Sequence, residues 1–441
     1  MANARKIAVK ALMKMDSDDA YSNIVINNAL NNSELTGVDR AFCSVLFYGT
    51  LERRITLDHI LSKYCKQPLA EMNNAIVNIL RCGIYQLKYM DKVPDSAAVN
   101  ESVKLAKVLR RHSNSSNFVN AVLRAFIRDN KEIELPIDEI KRISVLYSLP
   151  EWIINSLIND YGKENCKKIA EAFLSQRHIS VRTNTLKTST KKLLDMFVEN
   201  GISAHESDIC ADSIVIEKGG SVENLPGFSE GLFHVQDISS SLCAKALDAE
   251  KDMRVIDVCA APGGKSFTVA EIMHNTGEVY ALDLYEQKVG LIRRSAERLG
   301  IKNLTSVVCN AKKPNDNFGE FDRVLCDLPC SGTGILGKKP EIRYKNVALL
   351  DTLSDLQYDL LVKSSSYLKV GGILVYSTCS LRKCENRDIA EKFLSENQNF
   401  EPYSIFSSIE RGINEPDNML TLLPHIHNTD GFFISAFIRT R

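Results

Sequence analysis

From residue 246 to residue 441, short β-rich apolar segments alternate with helical segments. The strand candidates are "RVIDVC", "EVYALDL", "LTSVVC", "DRVLCDL", "GILVYST" and "FFISAFI". Between the second and third of them, "EQKVGLIRRSAERLG" has helical spacing and ends at Gly300. Strands that alternate with helices in this way form a mostly parallel sheet with helices packed on it. The pattern therefore predicts an α/β domain over residues 246–441.

The rest of the chain predicts two further regions, because 441 residues exceed one ordinary domain. Residues 1–140 show helical periodicity almost throughout, as in "EMNNAIVNILRCGIYQLKYM", and predict an all-α domain. That region shows no catalytic constellation, so we expect it to bind a partner. In residues 141–245, "ISVRTNTL" and "SIVIEK" alternate like strands, while "TKKLLDMFVENG" reads as a helix that closes at Gly201. This middle region is predicted to be a connecting α+β segment.

Charge is unevenly spread along a chain whose formal net charge is zero. Residues 1–142 hold 21 Lys and Arg against 16 Asp and Glu. A basic N-terminal region is typical of proteins that bind nucleic acid, although so small a surplus equally fits an ordinary solvated surface. The candidate phosphate contacts are Arg53, Arg54, Lys104, Lys107, Arg110, Arg111 and Arg182.

The sequence also bears on membrane, metal and compartment. No apolar run approaches the roughly 20 residues that span a bilayer, and Lys10 and Lys14 interrupt any signal-peptide core. The 12 cysteines include no C-x-x-C pair and no Cys/His cluster with zinc spacing. We therefore expect a cytoplasmic protein with reduced cysteines, no membrane partner and no metal. Nothing indicates more than a monomer.

The segment "AAPGGKS" follows the first strand of the α/β region and leads into a helix. Small residues at such a turn let the backbone approach a cofactor. A phosphate-binding P-loop would need glycine where Cys259 stands, and the dinucleotide pattern G-x-G-x-x-G is absent. S-adenosylmethionine fits better, because Asp283 ends the next strand 19 residues beyond Gly264, where a ribose-binding carboxylate is expected. Asp257 would meet its ammonium group, whereas a tight turn without ligand remains the alternative for the loop alone.

Two cysteines follow strands at the edge predicted for the cofactor. Cys330 stands in "DLPCSGTG" behind Asp327, and Cys379 stands in "YSTCSL". Pyrimidine C5 is a poor nucleophile, but a thiolate that adds to C6 makes C5 able to attack a methyl sulfonium. The polar loop around each thiol favours this chemistry. A cysteine near a strand end is more often inert packing, which is our interpretation of Cys259, Cys309, Cys326 and Cys384.

The motifs "DVCAAPGGKS", "DLPCSGTGIL" and "YSTCSL" resemble those of the RNA cytosine-5 methyltransferase family. The resemblance implies a Rossmann-like class I methyltransferase domain with S-adenosylmethionine as cofactor. It implies that Cys379 is the nucleophile that adds to C6 and that Cys330 assists release of the methylated product. It also implies that Asp327 contacts the target cytosine and the surroundings of the cofactor.

The remainder of the chain carries a second resemblance. "VPDSAAVNESVKLAK" and "NFVNAVLR" are similar to NusB-like RNA-binding helical domains, and "VRTNTLK" and "GLFHVQDISSSL" match the connecting segment of the methyltransferase family. This domain order resembles the RsmB (Sun/Fmu) branch, whose members methylate a cytosine of bacterial small-subunit ribosomal RNA. The implied function is therefore C5 methylation of a cytosine in 16S ribosomal RNA.

The sequence departs from the family pattern at two positions. Asn310 stands where the family usually has an aspartate that contacts the adenine amino group; asparagine can accept that hydrogen bond but brings no charge. Leu328 replaces a small residue of the motif "DAPCSGTG" and is expected to alter the pocket near the base. The predicted cofactor-binding residues are Asp257, Ala260, Ala261, Pro262, Gly263, Gly264, Lys265, Ser266, Asp283, Asn310 and Asp327.

Three alternatives stay open at this point. Cys330 could be the nucleophile, as the Pro-Cys cysteine is in DNA cytosine-5 methyltransferases, although "TCS" argues against it. The same chemistry could act on transfer RNA. The chain could also be an RNA-binding or antitermination-like factor whose methyltransferase domain is inactive. Loss of Cys379 without loss of RNA binding would separate an enzyme from a binder.

Overall fold

The computed structural model describes residues 4–17, 20–109, 114–175, 178–218, 222–313, 315–345, 350, 352–412 and 415–441. The chain divides into two compact units. The helical unit comprises Met1–Leu174 and Lys338–Lys345, and the sheet unit comprises Ser175–Gly337 and Asn346–Arg441. Within the described residues, no helix combines the length and the apolar character needed to cross a membrane.

The helical unit confirms the predicted all-α character of the N-terminal region. Its helices are α1 (Ala4–Ser17), α2 (Ser22–Asn31), α3 (Gly37–Glu52), α4 (Arg54–Tyr64), α5 (Asn74–Tyr89), α6 (Asp95–Leu109), α7 (Ser115–Arg128), α8 (Glu139–Tyr147), α9 (Glu151–Tyr161) and α10 (Lys163–Ser175).

Helix α5 lies at the centre of the helical unit. It is buried on all sides from Ala75 to Leu87, as expected of a helix that packs against neighbours around its circumference. Arg81 is only 5% exposed, and its guanidinium forms two hydrogen bonds of 2.7 and 2.8 Å to the Asp58 carboxylate. A second carboxylate, that of Asp16, lies 3.4 Å away. This pairing offsets the desolvation cost of burying the charge.

The segment Lys338–Lys345 is distant in sequence from the helices with which it folds. The Tyr344 hydroxyl donates to the carbonyl of Leu51 at 2.7 Å, and the Arg54 guanidinium lies 4.9 Å from the centre of the Tyr344 ring. The Ser22 hydroxyl donates to the Glu341 carboxylate at 2.7 Å. Local periodicity contains no information about such a distant docking. The division of the chain into three regions at residues 140 and 245 stays a prediction.

The sheet unit contains a small antiparallel sheet. Its strands are β1 (Ile179–Thr183), β2 (Ser203–Glu206), β3 (Ser213–Lys218) and β4 (Phe233–Val235), in the order β2-β3-β1-β4. Helix α11 (Thr190–Glu199) covers it through Phe197, whose ring packs edge-on against Phe233 at 5.5 Å. Both predicted strands and the predicted helix are present in this part of the chain. Gly201 follows the helix with a positive φ of 74°.

The larger sheet forms the core of the sheet unit. Its strands are β5 (Arg254–Asp257), β6 (Glu278–Asp283), β7 (Leu304–Val308), β8 (Phe321–Asp327), β9 (Leu368–Thr378), β10 (Phe400–Pro402), β11 (Met419–Leu422) and β12 (Phe432–Arg439). The accompanying helices are α12 (Ile238–Ala246), α13 (Gly264–Ile272), α14 (Glu286–Leu299), α15 (Leu353–Ser365), α16 (Arg387–Glu396) and α17 (Pro424–His427).

The strand order is β10-β12-β9-β8-β5-β6-β7, with β11 beside β12. The pairs among β5, β6, β7, β8 and β9 are parallel, whereas β12 runs antiparallel to β9, β10 and β11. All six predicted strands are present, which confirms the mostly parallel Rossmann-like sheet. Strands β10, of three residues, and β11, of four residues, were not predicted. Since the chain order reverses beside β5, a ligand crevice is expected at its carboxyl end.

Candidate active site

The carboxyl ends of the parallel strands bring the predicted site residues to one edge of the sheet. Asp257 ends β5, Asp283 ends β6 and Asp327 ends β8, while Cys379 directly follows β9. In the register of the sheet, Asp327 pairs with Ser377, two residues before Cys379. Residues separated by as many as 122 positions therefore lie at the same edge of the sheet. Sequence reasoning anticipated this placement from the parallel α/β pattern.

The loop between β5 and α13 has the backbone conformation that its glycines predict. Gly263 has a φ of 108°, and a Cβ atom there would lie 2.3 Å from the Phe267 ring. Only glycine fits that position without displacing the ring. The N–H of Ala260 donates to the carbonyl of Leu282 at 2.7 Å, which ties the loop to the neighbouring strand β6. In the same turn, Ala261 and Gly264 are half-buried and Pro262 is exposed.

The buried carboxyl group of Asp257 accepts a described side-chain hydrogen bond through only one of its two oxygens. The Ser266 hydroxyl donates to Oδ2 at 2.7 Å, so this predicted cofactor residue braces Asp257 from within the core. Oδ1 is buried and has no hydrogen-bond partner among the residues that the structure describes. Burial raises the pKa of Asp257 to about 7, and the nearby negative charge of Asp327 adds to the effect. A buried oxygen in this state fits a cationic ligand group such as an ammonium.

Asp283 and Asn310 lie at the ends of the next two strands. Asp283 is 6% exposed; its Oδ1 accepts the N–H of Tyr285 at 3.1 Å, and Lys288 Nζ lies 3.6 Å from its Oδ2. Asn310 is exposed, and its Oδ1 accepts the N–H of Lys312 at 3.0 Å. A carbonyl oxygen has a second lone pair, so Asn310 retains the capacity to accept an adenine amino group.

These features together fit S-adenosylmethionine. The buried Oδ1 of Asp257 suits its ammonium group, Asp283 suits its ribose hydroxyls, and the glycine turn lets the backbone approach it. In the described part of the chain, no group of three or more His, Cys, Asp and Glu side chains is placed to hold a metal ion.

Asp327 is held in one orientation by two neighbours. Lys265 Nζ lies 2.6 Å from Oδ2, and the Ser377 hydroxyl donates to Oδ1 at 2.9 Å. Burial lowers the pKa of Lys265, but the charge and hydrogen bond of Asp327 together with the other nearby acidic groups outweigh burial and raise that pKa above its ordinary value. Lys265 was predicted only as part of the cofactor loop, and Ser377 was missed. The signal for Ser377 was available, since residues two apart on a strand face the same side.

The two thiols are in contact. Cys330 Sγ lies 3.2 Å from Cys379 Sγ, and both side chains are half-buried. The hydrogen bond with Cys379, followed by burial, raises the pKa of Cys330 well above its ordinary value. Cys330 therefore keeps its proton near neutral pH, and its sulfur is within hydrogen-bond distance of the Cys379 sulfur. The sequence placed both thiols at one edge but did not predict their contact.

The loop after Cys330 packs closely around Cys379. The N–H of Gly334 donates to the carbonyl of Cys379 at 2.9 Å. A Cβ atom on Gly334 would lie 1.9 Å from the carbonyl oxygen of Gly431, so only glycine fits here. Leu328, the larger residue of the motif, is 3% exposed and joins the apolar core with Leu360. Its additional volume is accommodated by the core of the sheet unit.

The prediction that Arg182 contacts phosphate is wrong. The side chain is 1% exposed and lies 3.2 Å from the Glu271 carboxylate and 3.4 Å from that of Asp212. The sequence pattern did not reveal that β1 turns this residue into the interior of the sheet unit. Exposed side chains are found at Lys104 and Lys107, and half-buried ones at Arg53 and Arg54. Arg110 and Arg111 lie outside the described residues.

The buried state of Asp257 predicts how cofactor affinity depends on pH. Because the pKa of Asp257 is about 7 before the cofactor binds, its carboxyl group is mostly protonated at pH 6 and mostly ionised at pH 8. An ammonium group pairs only with the ionised form, so we expect S-adenosylmethionine to bind about tenfold more tightly at pH 8 than at pH 6. Isothermal titration calorimetry across this range measures the change. Asp257→Asn should bind weakly and without this dependence; an identical pH profile in the variant would contradict the assignment.

A mostly parallel sheet of this order, with a glycine turn after β5 and an acidic residue at the end of β6, is typical of class I methyltransferases. Residues 244–438 match the family model described as 16S rRNA methyltransferase RsmB/F. Residues 2–128 match the NusB family, and residues 149–223 match the ferredoxin-like domain of RsmF/B-like methyltransferases.

Curated relatives extend this similarity to the full length. The chain is 36% identical to the "Probable ribosomal RNA small subunit methyltransferase B" of Bacillus subtilis, with 98% of each chain covered. It is 33% identical to the protein of the same name from Synechocystis, with 99% of each covered. The chain therefore belongs to the RsmB/F family of 16S ribosomal RNA methyltransferases, which confirms the predicted family. This membership also confirms S-adenosylmethionine as the cofactor.

Solved structures show the same fold. The crystal structure of PH0851 superposes with a TM-score of 0.85 at 23% identity, covering 100% of this chain and 99% of that one. A methyltransferase homologue from Pyrococcus horikoshii superposes with a TM-score of 0.61 at 28% identity, covering 69% of this chain and 100% of its own.

Proposed function

We propose that the protein methylates C5 of one cytosine in small-subunit (16S) ribosomal RNA through a covalent bond between Cys379 and C6 of the base. The observation that carries this proposal is the contact of the Cys330 and Cys379 sulfurs at 3.2 Å, beside the fixed carboxylate of Asp327. The choice of RNA rests on family membership and on the names of the relatives.

The cofactor is held by the carboxyl edge of the sheet. Asp257 would hold its ammonium group, Asp283 its ribose hydroxyls, and the backbone of residues 260–264 would be available to contact it. Asn310 accepts its adenine amino group through the free lone pair. When bound, S-adenosylmethionine supplies a methyl group on a positively charged sulfonium, which C5 of the activated base attacks.

Cys379 activates the base. Its thiolate forms the Sγ–C6 bond, and the electron pair of the C5–C6 double bond moves to C5, which becomes nucleophilic. Asp327 orients the cytosine along its N3 and amino edge. Because Lys265 and Ser377 each hold one Asp327 oxygen, the carboxylate meets the base without reorganisation, as preorganised catalytic groups do.

Release reverses the addition. The C5 proton leaves to a base, its electron pair restores the C5–C6 double bond, and the electrons of the Sγ–C6 bond return to Cys379. Cys330 is the group that assists this step. Since its thiol is protonated and its sulfur lies 3.2 Å from that of Cys379, it donates a hydrogen bond to the departing thiolate. The raised pKa of Cys330 thus favours its role as a hydrogen-bond donor during product release and disfavours a role as the nucleophile that attacks C6.

RNA binding is assigned to the helical unit and to the connecting region. Residues 2–128 match the NusB family, and Lys104 and Lys107 offer exposed cations on α6. Contacts of this kind go to phosphates and position the RNA without reading its sequence. The target base enters the catalytic crevice unpaired or extruded from its helix.

The direct test is methylation in vitro. The protein is incubated with S-adenosylmethionine and either free small-subunit ribosomal RNA, small-subunit particles, or transfer RNA as control. Nucleoside mass spectrometry identifies the product, and bisulfite sequencing locates it. We expect 5-methylcytidine at one position of the ribosomal RNA. Methylation of transfer RNA alone would contradict the substrate, and RNA binding without any methyl transfer would indicate a non-catalytic binding factor.

A further inference from the structure

Two adjacent residues, Glu385 and Asn386, lie in the short segment between β9 and α16 and are almost fully buried. Glu385 is 0% exposed and Asn386 is 2% exposed. Neither belongs to the strands that end at the thiols, and neither touches the predicted cofactor residues through any described hydrogen bond. Their side chains instead make hydrogen bonds on either side of the two cysteines.

Glu385 holds the loop that carries Cys330. Its Oε2 accepts the N–H of Ser331 at 2.7 Å and the amide of Gln357 at 3.3 Å. The same Gln357 amide donates to the carbonyl of Pro329 at 2.9 Å. The backbone groups before and after Cys330 are therefore both tied to one carboxylate, directly or through a single side chain.

Asn386 holds the loop that carries Cys379 in the same manner. Its Oδ1 accepts the hydroxyl of Thr378, the residue before Cys379. Its Nδ2 donates to the carbonyl of Ser380, the residue after Cys379, at 2.8 Å. Each residue of the Glu385–Asn386 pair thus holds the neighbours of one thiol.

We propose that Glu385 and Asn386 are positioning residues that set the distance between the Cys330 and Cys379 sulfurs. The two thiols lie on loops that follow different strands, 49 positions apart, and no described covalent link joins the loops. One peptide unit connects the two sets of hydrogen bonds, so a shift of one loop is transmitted to the other. The inference rests on the proposed division of labour between the thiols.

The chemistry of Glu385 favours this role over mere packing. A buried carboxylate is costly unless it is paired and hydrogen-bonded, and an apolar residue of similar size would fill the space without that cost. Here Arg382 Nη1 lies 3.1 Å from Oε1, while Oε2 receives the two bonds that hold the Cys330 loop. The carboxylate therefore provides directed contacts that packing does not require.

The test measures the spacing of the thiols without methyl transfer. Phenylarsine oxide condenses with two neighbouring thiols, forming two arsenic–sulfur bonds and releasing one water. The full-length protein is treated with this reagent, and the rate of the product bridging Cys330 and Cys379 is followed by peptide mass spectrometry. Cys330→Ala provides the blank. The variants are Glu385→Ala and Asn386→Ala, with Glu385→Gln as the milder change if alanine prevents folding.

Asn184→Ala is the matched control. Asn184 is a fully buried asparagine of the same unit, and its Nδ2 also donates to backbone carbonyls, those of Gly231 at 2.8 Å and Leu299 at 2.7 Å. Its loss removes comparable contacts away from the thiols. Urea unfolding of every variant identifies conditions under which all are folded.

We expect the rate of bridging to fall by at least about tenfold in both alanine variants, because a displacement of either loop by about 1 Å moves the two sulfurs out of the geometry that the reagent bridges. The rate should be unchanged in the control. We also expect kcat to fall on the order of 10²-fold with KM for S-adenosylmethionine unchanged. If the folded Glu385 and Asn386 variants bridge Cys330 and Cys379 at the wild-type rate, the positioning role is wrong. The two proposals can fail separately. If bridging slows in the variants but the wild-type protein does not methylate cytosine, the positioning role stands and the proposed function is wrong.

Discussion

Replacing Cys379 with alanine is expected to lower kcat for methyl transfer on the order of 10⁴- to 10⁶-fold, the range seen when an enzyme loses its nucleophile. Without the Sγ–C6 bond, C5 of cytosine stays a poor nucleophile, and burial still raises the pKa of the Cys330 thiol when its hydrogen bond with Cys379 is gone. RNA and cofactor binding should persist, since Cys379 makes no described contact with the cofactor residues.

A covalent trap measures this result. Ribosomal RNA that carries 5-fluorocytosine cannot lose fluorine as it would lose the C5 proton, so the enzyme remains bonded to the base. We expect the adduct to map to Cys379 in the wild-type protein and to be absent in the Cys379→Ala variant. Cys65→Ala is the control, because Cys65 is also a half-buried thiol but lies in the helical unit. An adduct on Cys330 would reverse the two roles while preserving the reaction.

The second large effect is expected at Cys330. The variant Cys330→Ala should form the covalent intermediate but release its product about 10²- to 10⁴-fold more slowly, the range associated with loss of one proton-donating group. The physical reason is that no thiol remains 3.2 Å from the departing sulfur to stabilise it as a thiolate. The two variants should therefore differ. Cys330→Ala should accumulate a stable covalent protein–RNA complex, whereas Cys379→Ala should form none.

Denaturing gel electrophoresis detects this complex with ordinary ribosomal RNA. A protein–RNA band that resists denaturation should accumulate in Cys330→Ala after addition of S-adenosylmethionine, and the double variant Cys330→Ala/Cys379→Ala should lack it. The Cys65→Ala protein should turn over without accumulation. If Cys330→Ala loses activity but yields no complex, Cys330 acts before the covalent step and its assignment to release is wrong.

Much of the site could be predicted because its residues lie in loops that directly follow strands. Asp257, Asp283 and Asp327 each end a strand whose periodicity is visible in the sequence, and parallel strands end at one edge. The family resemblance then supplied the roles of Cys330 and Cys379. The strand-end placement needs only local pattern and topology, which is why it could be inferred without coordinates, whereas the roles of the two thiols rest on the resemblance and stay predictions.

Other features depend on contacts between distant residues. Nothing in the local sequence of Lys265 indicates its ion pair with Asp327, 62 positions away. The burial of Arg182 beside Glu271 contradicted its interpretation as a phosphate contact, because an arginine in a strand has the same local pattern whether it faces solvent or a buried carboxylate. The hydrogen bonds that Glu385 and Asn386 make to the loops of Cys330 and Cys379 were not predicted for the same reason.

The sequence by itself determined the order of helical and α/β regions, the turn after the first parallel strand, and the presence of two thiols at the carboxyl edge of the sheet. Those properties follow from periodicity and motifs that are local in the chain. The tertiary structure alone decided that the sulfurs of Cys330 and Cys379 lie 3.2 Å apart and that Asp327 is held by Lys265 and Ser377. It also decided that Lys338–Lys345 folds with the helices. Such distances result from the packing and hydrogen bonds of many residues remote in sequence, and no single segment encodes them.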